Sequence, residues 1–347
     1  MSSQPTAARA ENVIQGEKVP SLDDIAAQHI ALAPWVNRTP VFDQHGGGSS
    51  SSSSRSTLNF KFELLQASGS FKVRHAFCHL LALSEAQRNA GVTCVSGGNH
   101  AAAVAYAASR LGIDAKVVVL RSANPAQIAL CRRYGANVVV ADDDTHAFVL
   151  VRTIEADEGR YFVHPFNGYR TVLGSATLGY EWVTQVPDLE AVIVPVGGGG
   201  LAAGIGAALR LANPRCRVFG VEPEGADAMS RSFAADRPIR TTTRHTIADS
   251  LIAPHIEEYS FALCRRHLER IVTVSDDALR QAMLTMYEQL KLAVEPACAA
   301  PLAAFAGPLQ ETLAGKRVGI LLSGSNLDLA SFEAHLNYAR RQRDEQG

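Results

Sequence analysis

From about residue 92 the chain settles into a regular alternation of short apolar runs and longer stretches whose apolar positions recur every three to four residues. "GVTCV" leads into "NHAAAVAYAASRL", an alanine-rich helical stretch that ends at Gly112. "AKVVVL" (115–120) reads as a β-branched strand, "NPAQIALCRRYGA" as a helix with Pro125 in its first turn and Gly135 at its end, "NVVVA" (137–141) as a strand, and 145–158 as a helix. A second set follows Gly168: a helix over 170–186, the strand "AVIVPV" (191–196), a glycine run, a helix from Leu201, and the strand "RVFGVEP" (217–223). A long amphipathic helix is predicted near 276–292. After it "RVGILLSGSN" opens from a strand into a glycine turn, and "ARRQRDEQG" reads as a solvated tail. The strands are continuously apolar instead of alternating, which signals an α/β body whose parallel sheets are covered on both faces.

At 347 residues the chain has room for two domains. Its 33 Lys and Arg against 34 Asp and Glu leave no basic field for nucleic acid or anionic membranes, so a small molecule is the expected partner. No run of 18 apolar residues and no apolar leader occur, which points to the cytoplasm. The six cysteines, Cys78, Cys94, Cys131, Cys216, Cys264 and Cys298, form no CxxC pair and are expected to be buried free thiols. The segment 45–56, "HGGGSSSSSSRS", is expected to be a flexible loop, because Gly and Ser offer no apolar contact to offset the entropy of ordering.

The strongest local signal is "VPVGGGGLAAGIG" (194–206). Four glycines between a buried strand and a helix bring several backbone N–H groups to one point at a helix N-terminus, a place for a phosphate. A tight turn alone needs only one or two such residues. Gly198, Gly200 and Ala203 also fit G-x-G-x-x-A, with Glu222 ending the next strand, so a dinucleotide-dependent dehydrogenase is a rival reading. That rival leaves Lys72 in "SGSFKVR" (68–74) unexplained. "SGGNHAAAVAYAA" (96–108) and "LLSGSNLD" (321–328) likewise place small and amide residues at strand ends, where open α/β sheets bind ligands.

Together and in this order, the four motifs resemble the fold-type II pyridoxal-phosphate enzymes, specifically the serine/threonine dehydratase and serine racemase family, over most of the chain from Thr39-Pro40 to Asp328. The resemblance implies a tryptophan synthase β-like fold: two open twisted α/β domains with the cofactor in the cleft between them. Residues 1–85 and 169–347 would form the larger, 86–168 the smaller inserted domain. Lys72 would carry pyridoxal 5′-phosphate as a Schiff base, with Phe71 beside it. Asn99 would meet the 3′ oxygen, Gly197, Gly198, Gly199 and Gly200 the phosphate, and Ser323 the pyridine nitrogen, with Leu201 and Glu295 as further cofactor-binding residues. Ser96, Gly97, Asn99, His100 and Asn167 in "HPFNGYR" would receive the substrate. A lysine buried beside an aldehyde loses its charge and becomes nucleophilic near neutral pH.

The implied reaction is loss of water and then ammonia from a β-hydroxy amino acid, with L-threonine or L-serine first in rank, giving a 2-oxo acid. Dehydration of 3-hydroxyaspartate, phenylserine or a catabolic intermediate, and serine racemisation, are the alternatives within the family. A non-catalytic cofactor-binding protein is an alternative outside it. The family also suggests a homodimer, and the short stretch after "SGSNLD" leaves no room for a regulatory domain. Several positions depart from the family pattern. Gly97 stands where racemases carry a serine acid, which favours elimination. Ala228 replaces a carboxylate of the family's metal loop, leaving Glu222 and the Ala226 carbonyl as incomplete ligands. His75 and Ser250 replace common glycines, and Cys298-Ala299 replaces Ala-Gly. His75 and His79 are expected to be ordinary helix residues, and Cys298 a structural thiol.

Overall fold

The computed structural model describes residues 13–47, 56–121, 123–241 and 244–346. Two sheets organise it. The larger has six strands in the order Arg270–Val274, Arg217–Pro223, Ala191–Pro195, Arg317–Leu321, Ser56–Lys61 and Val41–Gly47, all parallel except the last. The smaller is parallel throughout, in the order Asn137–Ala141, Ala115–Leu120, Val92–Val95 and Tyr161–Phe162. Strands from 41–61 and 191–321 make the first sheet and those from 92–162 the second.

The central apolar strands are buried here on both faces, as parallel sheets require, while the edge strands Asn137–Ala141 and Arg270–Val274 are partly exposed. On one face of the larger sheet Phe60, Ile193, Val221 and Ile320 pack with Leu279, Met283 and Phe305. On the other, Val192, Val194 and Val218 pack with Trp182, Ile205 and Leu263 from the Tyr169–Gln185, Gly200–Ala212 and Glu258–His267 helices. The smaller sheet is covered by Ala-rich Asn99–Leu111 on one side and by Ala147, Val151 and Ile154 of Asp144–Glu158 on the other. The six cysteines are buried and unpaired, as their scatter suggested.

Three expectations change. The amphipathic stretch 276–292 is an α-helix only over Asp276–Thr285, followed by a π-helical turn, Met286–Leu290, that closes at Lys291 with φ +61°. The supposed tail belongs to the helix Leu329–Gln346, because Phe332, Leu336 and Ala339, spaced four and three apart, bury one face against the core. Of the segment 45–56, residues 48–55 lie outside the described residues. His45 pairs with Thr57 and Gly47 with Ser56, so its two ends continue an antiparallel ladder. Among the described residues no helix is long and apolar enough to cross a membrane.

Candidate active site

All four motif segments leave carboxyl ends of parallel strands, where a doubly covered sheet is open to a ligand. After Ser56–Lys61 the chain makes a 3-10 turn over Glu63–Leu65 and a second turn at Gly69, then starts the helix Lys72–Leu80. Gly69 has φ +76°, and a Cβ there would lie 2.3 Å from the Asn326 side chain. Lys72 Nζ donates to the Pro165 carbonyl at 2.5 Å and stands 5.2 Å from the centroid of the Phe71 ring. Burial lowers the Lys72 pKa to about 8, against the opposing pull of the Glu295 carboxylate.

Asn99, the first residue of the helix Asn99–Leu111, donates from Nδ2 to both oxygens of Glu295, at 2.8 and 3.0 Å. Its Oδ1 accepts from Asn326 Nδ2 at 2.7 Å. Burial pushes the Glu295 carboxyl up to about 7, with the Asn99 hydrogen bond opposing. Ser323 is buried, and its carbonyl accepts the Phe71 N–H at 3.1 Å, which ties the start of the lysine helix to the "SGSN" turn. Gly324 touches the same carboxylate closely, since a Cβ there would lie 2.7 Å from Glu295 Oε1.

The glycine run turns the chain from Ala191–Pro195 into the helix Gly200–Ala212, with Gly199 left-handed at φ +92° and no side chain capping the helix. Its first N–H groups therefore remain for an anion. The Phe166 ring lies on Gly198, where a Cβ would come within 2.2 Å of Cγ and Cδ2. The surroundings fit pyridoxal phosphate: an amine whose pKa is lowered toward neutrality for the aldehyde, a hydroxyl and an amide for the ring, and a cradle of backbone N–H groups for the phosphate.

A family model described as pyridoxal-phosphate dependent enzyme matches residues 32–324. The chain belongs to the pyridoxal-phosphate-dependent enzymes. It is 58% identical over 318 residues to a phenylserine dehydratase from Ralstonia pickettii, covering 92% of this chain and 97% of that one. It is 36% identical over 312 residues to a β-hydroxyaspartate dehydratase from Paracoccus denitrificans, covering 90% and 98%. Among solved structures, maize serine racemase superposes with a TM-score of 0.85 at 32% identity, covering 93% of this chain and 99% of that chain. This pyridoxal-phosphate-dependent enzyme thus sits among dehydratases of β-hydroxy amino acids, and the expected fold type and cofactor hold.

The dinucleotide reading fails. Glu222, which a ribose would need, is buried and accepts from the Met229 N–H (2.8 Å) and from the Ser230 N–H (2.7 Å) and hydroxyl (2.6 Å). From the end of its strand it thus holds the first turn of the helix Ala228–Ala235. The same bonds occupy it as a metal ligand, and no cluster of three or more ligating side chains occurs among the described residues.

His100 donates Nε2–H to the Val163 carbonyl at 2.9 Å, and burial keeps it neutral. Its remaining nitrogen is an acceptor, which does not suit a carboxylate. Asn167 turns Oδ1 to the Ser260 N–H and hydroxyl, at 3.2 and 2.9 Å. Ser96 Oγ accepts the Gly98 N–H at 3.1 Å. His75 bonds Ser175, His79 bonds Tyr161 and Thr171, and burial pushes the Cys298 thiol up to about 12, leaving it inert at neutral pH.

Sequence reasoning did not assign the Pro165 carbonyl, Asn326 or Phe166. The first acts through its backbone and carries no residue-type signal. The other two lie inside "LLSGSNLD" and "HPFNGYR", where their contacts, to Gly69 and Asn99 for Asn326 and to Gly198 for Phe166, are made with segments remote in sequence.

Proposed function

We propose that this enzyme converts a β-hydroxy amino acid with an aromatic β-substituent, of the phenylserine class, into the 2-oxo acid and ammonia. Water leaves from the Cα–H and Cβ–OH positions and is regained when the amino group is hydrolysed off, so the net change is release of ammonia. The observation that carries the reading is 58% identity to the phenylserine dehydratase over nearly the whole of both chains, far above the 36% of the β-hydroxyaspartate enzyme.

Bound pyridoxal phosphate supplies an electrophilic aldehyde and an electron-withdrawing ring. On this reading Lys72 holds it and, once freed, accepts the Cα proton. Gly197, Gly198, Gly199, Gly200 and Leu201 receive the phosphate through their N–H groups. Asn99 meets the ring's oxygen and Ser323 its nitrogen, and Glu295 fixes Asn99. The substrate carboxylate goes to N–H groups around Ser96, Gly97 and the start of the Asn99–Leu111 helix, with His100 holding that helix to Val163. Gly97 has no side chain to deliver a proton on the second face, which favours elimination over racemisation.

The test is turnover of threo-phenylserine, L-threonine, L-serine and 3-hydroxyaspartate, read as ammonia and 2-oxo acid. At least tenfold higher kcat/KM for phenylserine is expected. Equal or higher kcat/KM for threonine or serine would overturn the aromatic assignment.

A further inference from the structure

The segment from Phe162 to Phe166 does two things at once. Its backbone holds the lysine, through the Pro165 carbonyl, while its side chains begin a run of aromatic rings. Phe162 meets His164 at 5.7 Å and 71°, and His164 meets Phe166 at 4.8 Å and 88°. Phe166 meets His255 at 6.1 Å, and His255 meets Phe148 of the Asp144–Glu158 helix at 6.3 Å. All five rings are partly exposed, so the run is a wall and not a closed core.

The wall is held rigidly. His164 Nδ1 accepts the N–H groups of Phe166 and Asn167, at 3.2 and 3.0 Å, and the Phe166 carbonyl accepts the Ser260 hydroxyl at 2.9 Å. Below, the Phe166 ring rests on Gly198. The Phe166 ring is thus fixed on the glycine run by a segment in which the preceding residue, Pro165, holds the lysine amine.

We propose that Phe166 and His164, continued outward by Phe162, His255 and Phe148, form the subsite for the substrate's aryl group and determine specificity for it. This deepens the phenylserine reading and rests on it. Edge-to-face contacts of the kind already present among these rings are what an incoming phenyl would extend. His164 keeps Nδ1 as an acceptor, so its ring is neutral, and burial lowers its pKa to about 3. The Glu257 carboxylate stands 2.7 Å from His255 Nε2 and 3.9 Å from His164 Nε2. A second carboxylate on the substrate would meet that charge, whereas Arg152, stacked 4.6 Å over Phe162, is paired to Glu155. The wall therefore selects an apolar ring over the side chain of 3-hydroxyaspartate.

The experiment compares wild-type holoenzyme with Phe166→Leu, Phe166→Tyr and Phe148→Leu on phenylserine. Phe166→Leu is expected to raise KM at least tenfold, Phe148→Leu at least threefold, and Phe166→Tyr less than threefold, each with kcat within about threefold of wild type. Phe148 lies on the Asp144–Glu158 helix at the other end of the run from Gly198, so it decides the matter if Phe166→Leu no longer retains cofactor. A wild type that prefers phenylserine while Phe148→Leu and any cofactor-bearing Phe166→Leu keep KM within twofold overturns the subsite alone. A fall in kcat at unchanged KM also overturns it, since it marks a structural role. A wild type that does not turn over phenylserine overturns the substrate reading and the subsite together.

Discussion

Asn99 and Glu295 are locked together, with one amide nitrogen 2.8 and 3.0 Å from the two carboxylate oxygens, beside the amine of Lys72. The Glu295 carboxyl is pushed up to about 7 by burial. An acid whose folded pKa lies above its ordinary value binds more protons folded than unfolded, so its ionisation costs stability as pH rises through that window, here from about 4.5 to about 7. The Asn99 donation limits that cost. Asn99→Ala is therefore expected to destabilise the apoenzyme by about 1–3 kcal/mol at pH 8, where the acceptor is charged, and by less at pH 6. Denaturant unfolding at the two pH values checks it, and an equal loss at both would show that the hydrogen bond does not follow the carboxyl's ionisation.

Lys72, lowered to about 8, has about a quarter of its amine neutral at pH 7.5, against about one part in a thousand for an ordinary lysine. Capture of pyridoxal phosphate by the apoenzyme, followed by absorbance, should therefore accelerate with pH, with a midpoint near 8, and level off above about 9. Glu295 holds the ammonium form, so Glu295→Gln should shift that midpoint down. Lys72→Ala should give no absorbance from attached cofactor and no ammonia. A capture rate still climbing at pH 10 would mean the lysine is solvated.

Behind the lysine, four charged side chains are buried together. Arg74 donates to both oxygens of Glu63 at 2.8 Å and to Glu181 at 3.0 Å, and Lys61 donates to Glu181 at 2.6 Å. Two bases balance two acids, so removing one strands a charge. Arg74→Met should cost about 3–5 kcal/mol of unfolding free energy. Arg74→Lys should rescue little, because an ammonium cannot span the two oxygens of Glu63 as the guanidinium does. Thermal and denaturant unfolding read both, and a loss under 1 kcal/mol for Arg74→Met would mean the network relaxes or admits water.

These differences trace what sequence can carry. The continuous Val and Ile runs announced parallel strands, and glycines such as Gly112, which is left-handed at φ +65°, announced helix ends. Lys72, Asn99, Gly197 to Gly200 and Ser323 were legible as candidates because each sits in a local motif at a strand end, whereas the Pro165 carbonyl that meets Lys72 carries no residue-type signal. The buried quartet was not: Lys61, Glu63, Arg74 and Glu181 look like solvated charges one at a time, and only the meeting of a strand, a turn and two helices pairs them. The helix that replaced the expected tail was missed for a related reason. Its charged residues dominate the composition, while the buried Phe332, Leu336 and Ala339 that hold it are few. The role of Phe166 depends on Gly198, a contact between the two sheets' connecting segments that no local pattern encodes.

Gly199 separates the two demands on the glycine run. Its φ of +92° penalises any L side chain, and a Cβ there would lie 2.5 Å from Met229 Cε and 3.2 Å from Cys264 Sγ. Gly199→Ala should thus twist the turn that aims the N–H groups at the phosphate while leaving Lys72 and Asn99 where they are. Apoenzyme affinity for pyridoxal phosphate should fall at least tenfold, whereas affinity for pyridoxal, which has no phosphate, should change less than threefold. The ratio of the two is the useful quantity, since a general loss of folding lowers both alike. If the ratio stays at its wild-type value, the phosphate is held elsewhere, and the helix N-terminus at Gly200 loses its part in binding.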